Sequence, residues 1–280
     1  MRAIIALVSL ASLAWAQKGL AEEVSRVASL DGVSQTKALQ ILLTDRSSED
    51  GLTDLVFYHE GRLRGSLQDL LSDSTVGDAA RRYAAIIGDP DDLRLMVRLG
   101  PATERRAFEN RWAYGVACAL LEPESDQEWA FLRKAAFNDF EDRWVDAGAI
   151  QTRKLIASPR SRQILEEAQK ANASRANLIA RALAYIQTNP APLADQDLEK
   201  LAKRVAQAVT IGKWEGNGRP RYNQTRDRAL VDISFRLPED ALTYTATFQH
   251  VEGVWKLRGV RETLQAFILS APISPARRPL

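Results

Sequence analysis

Apolar residues recur at helical spacing between residues 39 and 186, and short polar breaks separate one set from the next. Many of these breaks contain Pro, Gly, Asp or Ser. Such breaks end helices because proline has no amide hydrogen to donate and because small polar side chains cap the following turn. The pattern predicts a succession of short amphipathic helices. Its clearest sets are Leu67, Leu70 and Leu71; Ala80, Tyr83, Ala84 and Ile87; Ile164, Leu165 and Ala168; and Leu178, Ile179, Leu183 and Ile186.

The polar breaks also recur along the chain. Pro90, Pro123, Pro159 and Pro190 stand 33, 36 and 31 residues apart, and the first three closely follow an apolar pair. One helix pair cannot bury its apolar stripe alone, whereas several stacked pairs share a continuous core. The pattern therefore predicts a short α-solenoid of antiparallel helix pairs. A non-repetitive helical bundle is the alternative, and the irregular spacing leaves it open.

This arrangement of helix, apolar pair, capping residue and proline over residues 37–190 resembles HEAT-like helical repeats. The resemblance implies a stack of antiparallel helices that presents one surface to a protein partner. Because many folds host unrelated functions, protein binding enters here only as an expectation from the fold.

The pattern changes after Pro190 and Pro192. Leu198, Leu201, Ala202, Val205 and Val209 share one helix face, with Asp195 as the expected cap. Alternating apolar positions then predict half-buried antiparallel strands. We expect one helix packed on an antiparallel β-meander, which makes the whole chain mainly α with a smaller α+β part. The alternating stretches are Val231–Leu237 and Leu242–Gln249.

A short segment, Gly253–Leu257, follows the second alternating strand and reads Gly-Val-Trp-Lys-Leu. It resembles the closing strands of NTF2-like or cystatin-like domains. In those domains the curled sheet often encloses a pocket or groove, so the resemblance implies a ligand-binding module as one function of the C-terminal part.

The first residues are typical of an export signal. Arg2 gives a positive start, an apolar stretch follows, and Ala14-Trp15-Ala16 has the form that a signal peptidase accepts. No later segment is apolar enough to span a membrane, so the sequence predicts a soluble periplasmic or extracellular protein without a transmembrane anchor. The predicted organisation is a signal peptide at 1–16, a lead-in at 17–36, a helical-repeat domain at 37–190, an α+β module at 191–269 and a disordered tail at 270–280.

The charges of the chain are nearly balanced, with a formal net charge of +2. This balance provides no general attraction for nucleic acid or anionic membranes, so we expect no nucleic-acid partner. Cys118 is the only cysteine, which excludes an intramolecular disulfide. Its apolar surroundings predict a small core residue, not a reactive thiol.

Candidate catalytic chemistry is sparse, because the chain contains two histidines, His59 and His250. A zinc helix that began with His59-Glu60 would need a second ligand at position 63, which is Leu63. We predict His59 at a helix end or in a loop and His250 at a strand end. The sequence predicts no catalytic residue, no metal site and no cofactor. An envelope hydrolase is a remote alternative that requires His59 and a carboxylate in one pocket.

One segment, residues 213–228, combines basic and aromatic residues around Gly216-Asn217-Gly218. A basic loop with aromatic side chains binds anionic groups by charge and stacking. The structural alternative is a long solvated connection between strands, where charges simply avoid burial. The segment also contains the glycosylation sequence Asn223-Gln224-Thr225. Its candidate binding residues are Lys213, Trp214, Arg219, Arg221 and Tyr222.

These patterns predict an exported, non-enzymatic scaffold that binds a protein partner through its helical-repeat surface. The alternative is a ligand-binding module that recognises an anionic or amphipathic ligand through the C-terminal α+β part and its basic, aromatic segment. The sequence does not determine the oligomeric state.

Overall fold

The described chain is mainly α-helical, with a smaller curled antiparallel sheet near its C-terminus, which confirms the predicted fold class. No helix among the described residues is both long and apolar enough for a membrane span. The predicted signal peptide, the predicted tail and Cys118 lie outside the described residues. The computed structural model describes residues 18–46, 51–99, 113–114, 116–117, 120–128, 147–171, 175–209, 212–238 and 241–263.

The chain divides into two compact units that do not follow the predicted joint at Pro190–Pro192. The first unit comprises residues 1–141 together with the hairpin 221–228, and the second comprises residues 142–220 and 229–280. The helices just before Pro190 therefore group with the sheet. This division depends on packing between segments that are distant in the sequence. The change in composition at the prolines is local, so it does not indicate where the two units separate.

In the first unit the helices are α1 (18–28), α2 (Gly32–Arg46), α3 (Leu52–Tyr58), α4 (Glu60–Leu70), α5 (Gly77–Ile87) and α6 (Pro90–Leu99). Helix α2 packs on α4, and α5 packs on α3, α4 and α6. Because α5 has neighbours on several sides, nearly all of its residues are buried. Gly88 ends α5 in the left-handed conformation, with φ of 70°, and Pro90 begins α6, as the Gly-Asp-Pro break predicts.

The second unit begins, in the described part, with helices α7 (Ala147–Ile156), α8 (Pro159–Ala171) and α9 (Ala176–Thr188). These three helices pack on one another in pairs. The predicted apolar faces form their shared core, which confirms the helical spacing seen in the sequence. The core consists of Ile150, Ala157, Leu165, Ile179, Ala182 and Ile186, with Ala168, Leu178 and Leu183 partly buried around it.

Helix α10 (Leu198–Ala208) buries its predicted apolar face. Its cap, however, is Asp197, whose Oδ1 accepts hydrogen bonds from the amides of Glu199 and Lys200 at 2.9 and 3.1 Å. The expectation that Asp195 caps this helix is wrong. Asp195 instead accepts from the amide of Asp197 at 3.1 Å and lies in a short strand before the helix. Asp195 and Asp197 both precede the helix, so the sequence alone did not show which of them caps it.

The sheet contains β1 (Ala194–Asp195), β2 (Lys213–Asn217), β3 (Arg221–Tyr222), β4 (Arg228–Arg236), β5 (Ala241–Val251) and β6 (Val254–Glu262). Its main order is β1-β6-β5-β4-β2, so β4, β5 and β6 form the predicted meander. Glu252 and Gly253 join β5 to β6 with φ of 54° and 78°, as a two-residue hairpin turn requires.

Strand β5 is buried on both faces along its centre, which differs from the predicted half-buried strand. Tyr244, Ala246 and Phe248 are buried as expected, but Thr245 and Thr247 are also buried. Each hydroxyl group has its own hydrogen-bond partner: Thr245 Oγ1 donates to Asp232 Oδ1 at 2.7 Å, and Arg261 Nη1 donates to Thr247 Oγ1 at 2.5 Å. Buried hydroxyls are tolerated here because each has a hydrogen-bond partner.

Candidate functional site

A groove of about 530 Å³ lies in the second unit, beside the first turns of α10. This volume falls within the roughly 300–1,000 Å³ that is typical of small-molecule sites. The groove combines an indole ring, an apolar floor and several charged side chains. Its lining residues are Asp197, Glu199, Lys200, Ala202 and Lys203 of α10 and its cap, Trp214, Asn217, Gly218, Arg219 and Pro220 of β2 and the following turn, and Val231 of β4.

The alternation of β2 places Trp214 at the groove. Trp214 is half-buried, whereas its neighbours Lys213 and Glu215 are exposed. The indole Nε1 donates to Asn217 Oδ1 at 3.1 Å, which restricts the orientation of the ring. Glu215 forms an ion pair with Arg236 at 2.7 Å. The strand therefore presents its aromatic side chain to the groove and its carboxylate elsewhere.

The turn after β2 carries Arg219 to the same groove. The Gly218 amide donates to the Asp232 carbonyl oxygen at 2.7 Å, which ties the turn to β4. A Cβ atom on Gly218 would lie 3.5 Å from that carbonyl oxygen, an ordinary contact, so the close approach does not by itself require glycine. Arg219 is exposed and has no ion pair with any described residue.

Helix α10 supplies two further cations, Lys200 and Lys203. Their spacing of three residues places them on one face of the helix. Lys200 Nζ lies 3.8 Å from Asp197 Oδ2, but both side chains are largely exposed, so this pair contributes little. Lys203, like Arg219, makes no ion pair within the described part of the chain. Three cations face two carboxylates, and Asp197 is already engaged as the helix cap.

The structure divides the five predicted binding residues between the two units. Trp214 and Arg219 line the groove, and Lys213 is exposed on β2 without lining it. Arg221 and Tyr222 belong to the first unit instead. There, Arg221 lies 3.4 Å from Asp54 Oδ1. Within the segment 213–228, the structure forms β2 over Lys213–Asn217 and the hairpin 221–228, with the turn that carries Gly218 and Arg219 between them.

Lys200 and Lys203 are groove residues that the sequence did not predict. Both lie on the polar face of an amphipathic helix, where lysine is ordinarily solvated. The only local signal was their spacing of three residues, which is common on helix surfaces. Their proximity to Trp214 depends on how α10 packs against β2.

A buried cluster of charged side chains holds the hairpin 221–228 within the first unit. Arg228 Nε lies 3.3 Å from Glu60 Oε1, and its Nη2 lies 2.5 Å from Asp89 Oδ2. Arg64 approaches the other oxygen of Asp89 at 2.5 Å and Asp92 Oδ1 at 3.0 Å. Each of the three carboxylates thus has an arginine partner, which is the arrangement that stabilises buried charges.

Burial changes the proton affinity of this cluster. It raises the pKa of Glu60, although Arg228 and Asn223 oppose the change. Burial likewise raises the pKa of Asp92 against the opposing effects of Gln68 and Arg64. Within the described ranges, no group of His, Cys, Asp or Glu side chains has an arrangement that would hold a metal ion.

The glycosylation sequence at Asn223 is part of the same buried region. Asn223 is only 4% exposed. Its Nδ2 donates to Glu60 Oε1 at 2.9 Å and to Asp227 Oδ1 at 2.6 Å. The amide nitrogen that would carry a glycan is therefore occupied and inaccessible in the folded chain.

The two histidines are located as the sequence predicts, at an element end in each case. His59 joins α3 to α4, and burial, together with the Arg62 charge, lowers its pKa. His250 is exposed near the end of β5 and packs on Trp255, with ring centroids 5.0 Å apart. The described residues that line the cavity beside His59 include no carboxylate, which the hydrolase alternative requires.

No protein-family model, curated protein or solved structure matches this chain. A functional interpretation of the groove therefore depends on the chemistry of its own residues.

Proposed function

We propose that this chain is a non-enzymatic binding protein that holds an anionic, partly aromatic ligand in the groove between α10 and β2. The observation that supports this function is the convergence of Trp214 with Lys200, Lys203 and Arg219 on one groove. An indole face binds flat apolar groups, and cations bind carboxylate or phosphate oxygens. A ligand that carries both groups would use the whole groove.

The charges of the groove favour an anion over a neutral ligand. Lys203 and Arg219 have no carboxylate partner among the described residues, so a bound anion displaces no protein ion pair at either group. A hydrogen bond to a charged group contributes about 1.5–3 kcal/mol. Arginine adds a planar pair of donors that matches carboxylate and phosphate geometry.

The test uses the full chain and two probes that differ in charge, 1-naphthyl phosphate and the neutral 1-naphthol. Isothermal titration calorimetry should give tighter binding of the phosphate ester, with affinity that falls as salt is added. Arg219→Gln and Lys203→Gln should each weaken the ester roughly tenfold or more. Trp214→Leu should weaken both probes, because both stack on the indole.

Lys213→Gln is the matched control, because Lys213 is exposed on β2 but does not line the groove. It removes the same charge and should leave the affinity for the ester unchanged. Equal affinity for the two probes, or equal losses in Lys213→Gln and Arg219→Gln, would contradict the proposed groove function.

A second candidate function is the protein-interaction scaffold, and one observation favours it. Val33 and Ile41 are 72% and 60% exposed, and both belong to α2. Residues eight apart lie on the same side of a helix, so these two form an apolar stripe around the exposed Lys37. The resemblance of residues 37–190 to HEAT-like repeats supports a helical surface of this kind as a protein-binding face.

The scaffold candidate is tested with the full chain as bait in envelope extract. A specific protein should be retained through a high-salt wash, lost by the double variant Val33→Asp/Ile41→Asp, and kept by Thr188→Asp, which adds charge at an exposed position of α9, away from the stripe. Retention by the double variant would exclude this stripe. Loss in Trp214→Leu alone would assign the capture to the groove.

We also propose that the protein acts outside the cytoplasm, after removal of residues 1–16. The small-x-small sequence Ala14-Trp15-Ala16 supports cleavage at this point. N-terminal sequencing of the protein recovered from the envelope or medium should then begin at Gln17. A mature N-terminus at Met1 or Arg2 would contradict export by this route.

A further inference from the structure

A second cavity, of about 230 Å³, lies in the first unit. Its walls come from three separate segments of that unit: α1 with the turn that follows it, the junction of α3 and α4, and the hairpin 221–228. None of its lining residues belongs to the groove of the proposed function. The lining consists of Ser25, Ala28, Ser29, His59, Arg62 and Gln224.

Backbone hydrogen bonds fix two of these walls against each other. The Gln224 amide donates to the Tyr58 carbonyl oxygen at 2.8 Å, which holds the hairpin beside the start of α4. The His59 carbonyl oxygen accepts from the amide of Arg62 at 2.9 Å. The His59 ring meets Tyr58 edge to face, with centroids 4.9 Å apart. These contacts within the chain therefore fix the hairpin wall against the α3–α4 wall.

The lining of this cavity carries one positive charge, on Arg62, and several neutral polar groups that can donate hydrogen bonds. Arg62 has no ion pair with any described residue, and the Ser25 hydroxyl and the Gln224 side-chain amide line the same cavity. The Ser29 hydroxyl already donates to the Arg26 carbonyl oxygen at 2.7 Å. None of the lining residues carries a carboxylate. Burial and Arg62 lower the pKa of His59, so the imidazole is neutral near pH 7 and has one N–H donor. A cation would be repelled by Arg62 and would find no carboxylate in the lining.

We propose that this cavity binds a small oxyanion, a phosphate or a carboxylate, with Arg62 as its counter-charge and the Ser25 hydroxyl and Gln224 amide as neutral donors. Guanidinium groups bind both kinds of anion through paired, charge-assisted hydrogen bonds. Because the ligand would contact both α4 and the hairpin, binding would also hold the hairpin on the helices. This site goes beyond the proposed groove, and either can fail without the other.

The experiment follows the imidazole signals of the full chain by nuclear magnetic resonance during titration with phosphate or, separately, with acetate. Ionic strength is kept constant with chloride. The chain has two histidines, so His250 serves as an internal reference in every spectrum. The His59 signals should shift and saturate with at least one of the two anions, while the His250 signals stay in place. The anion whose titration saturates the shift of the His59 signals identifies the ligand class.

Variants then assign the binding to the cavity. Arg62→Gln should weaken it roughly tenfold or more, and Arg62→Lys should have a smaller effect because the charge remains. Arg26→Gln removes an exposed charge of α1 that does not line the cavity, and it should have no effect. Thermal unfolding checks that each variant is folded.

Three outcomes would overturn the site. His59 signals that stay in place with both anions in the wild-type protein would show that the cavity binds neither. Equal weakening by Arg26→Gln and Arg62→Gln would instead indicate general surface charge. Loss in Arg219→Gln with retention in Arg62→Gln would assign the anion to the groove and leave this cavity without a ligand.

Discussion

Lys154 holds an ammonium group inside the second unit. Lys154 is almost fully buried. The Nζ atom donates to the Ala208 carbonyl oxygen at the end of α10 and lies 4.8 Å from the centroid of the Tyr185 ring. Burial, and to a lesser extent Arg181, lowers the pKa of Lys154 to about 8. The carbonyl and the aromatic face offset only part of the cost of removing the charge from water.

This shift predicts how stability depends on pH. The usual pKa of 10.5 exceeds the folded value of about 8, so the unfolded chain binds the proton more tightly and stability rises with pH between the two values. From about pH 7 to about pH 9.5, Lys154 should add about 1–2 kcal/mol to the free energy of unfolding. Urea denaturation at both pH values should show a smaller rise in Lys154→Met.

The exposed Lys170 of α8 provides the control for this prediction. Lys170→Met should retain the pH dependence of the wild-type protein. If Lys154→Met and the wild-type protein gained stability equally, the ammonium group would not be responsible for the rise.

Strand β6 lies beside the short edge strand β1, which covers only a small part of it. Strand β1 pairs with Trp255 and Lys256 of β6. Further along the same edge of β6, helix α7 provides the hydrogen bonds. Thr152 of α7 donates its hydroxyl to the Val260 carbonyl oxygen at 2.7 Å and accepts from the Val260 amide at 2.9 Å. One threonine side chain thereby satisfies both backbone groups of an edge residue.

Replacement of this hydroxyl tests the role of α7 at the sheet edge. Thr152→Val keeps the shape of the side chain but leaves the Val260 amide and carbonyl unsatisfied, so the free energy of unfolding should fall by about 2–3 kcal/mol. Thr188→Val at the exposed end of α9 should change it by less than about 0.5 kcal/mol. Equal effects in chemical denaturation would show that the Thr152 hydroxyl makes no special contribution.

At the scale of the whole molecule, the hairpin 221–228 belongs to a different unit from the residues on either side of it in the sequence. This hairpin follows β2 in the chain but groups with the helices of the first unit. Arg228 joins it to Glu60 and Asp89, which lie more than a hundred residues earlier. These ion pairs tie the hairpin to the helices of the first unit.

Removal of Arg228 should leave the buried Glu60 without an arginine partner, while Asp89 keeps only Arg64. Arg228→Leu should lower the free energy of unfolding by about 3–5 kcal/mol near pH 7. Burial raises the pKa of Glu60, so the cost of its charge is present above the folded pKa and is relieved as pH falls towards the usual value of 4.5. The loss in Arg228→Leu should consequently be smaller near pH 5 than near pH 7.

Arg226→Leu is the matched control in the same hairpin. Arg226 is exposed, with its guanidinium 4.7 Å from the Tyr222 ring centroid, and its replacement should cost less than about 1 kcal/mol at either pH. If the decrease in the free energy of unfolding in Arg228→Leu were the same at both pH values, the protonation of Glu60 would not contribute to it.

The sequence by itself determined the fold class, the apolar faces of the helices and the alternating strands. These features depend on residues two, three or four positions apart, so local patterns contain them. Residues 198–209 illustrate this, because the predicted apolar face of α10 is the buried one. The break at Gly88 and Pro90 was likewise readable from local chemistry.

Only the tertiary structure decided which distant residues meet. The sequence identified Trp214 and Arg219, but their meeting with Lys200 and Lys203 depends on the packing of α10 against β2. A lysine on a polar helix face satisfies the same local pattern whether it faces water or a groove. In the sequence, Arg228 likewise looks like an ordinary solvated charge. In the structure, the hairpin places it beside Glu60 and Asp89, and this burial depends on the tertiary path of the chain and not on the neighbouring residues.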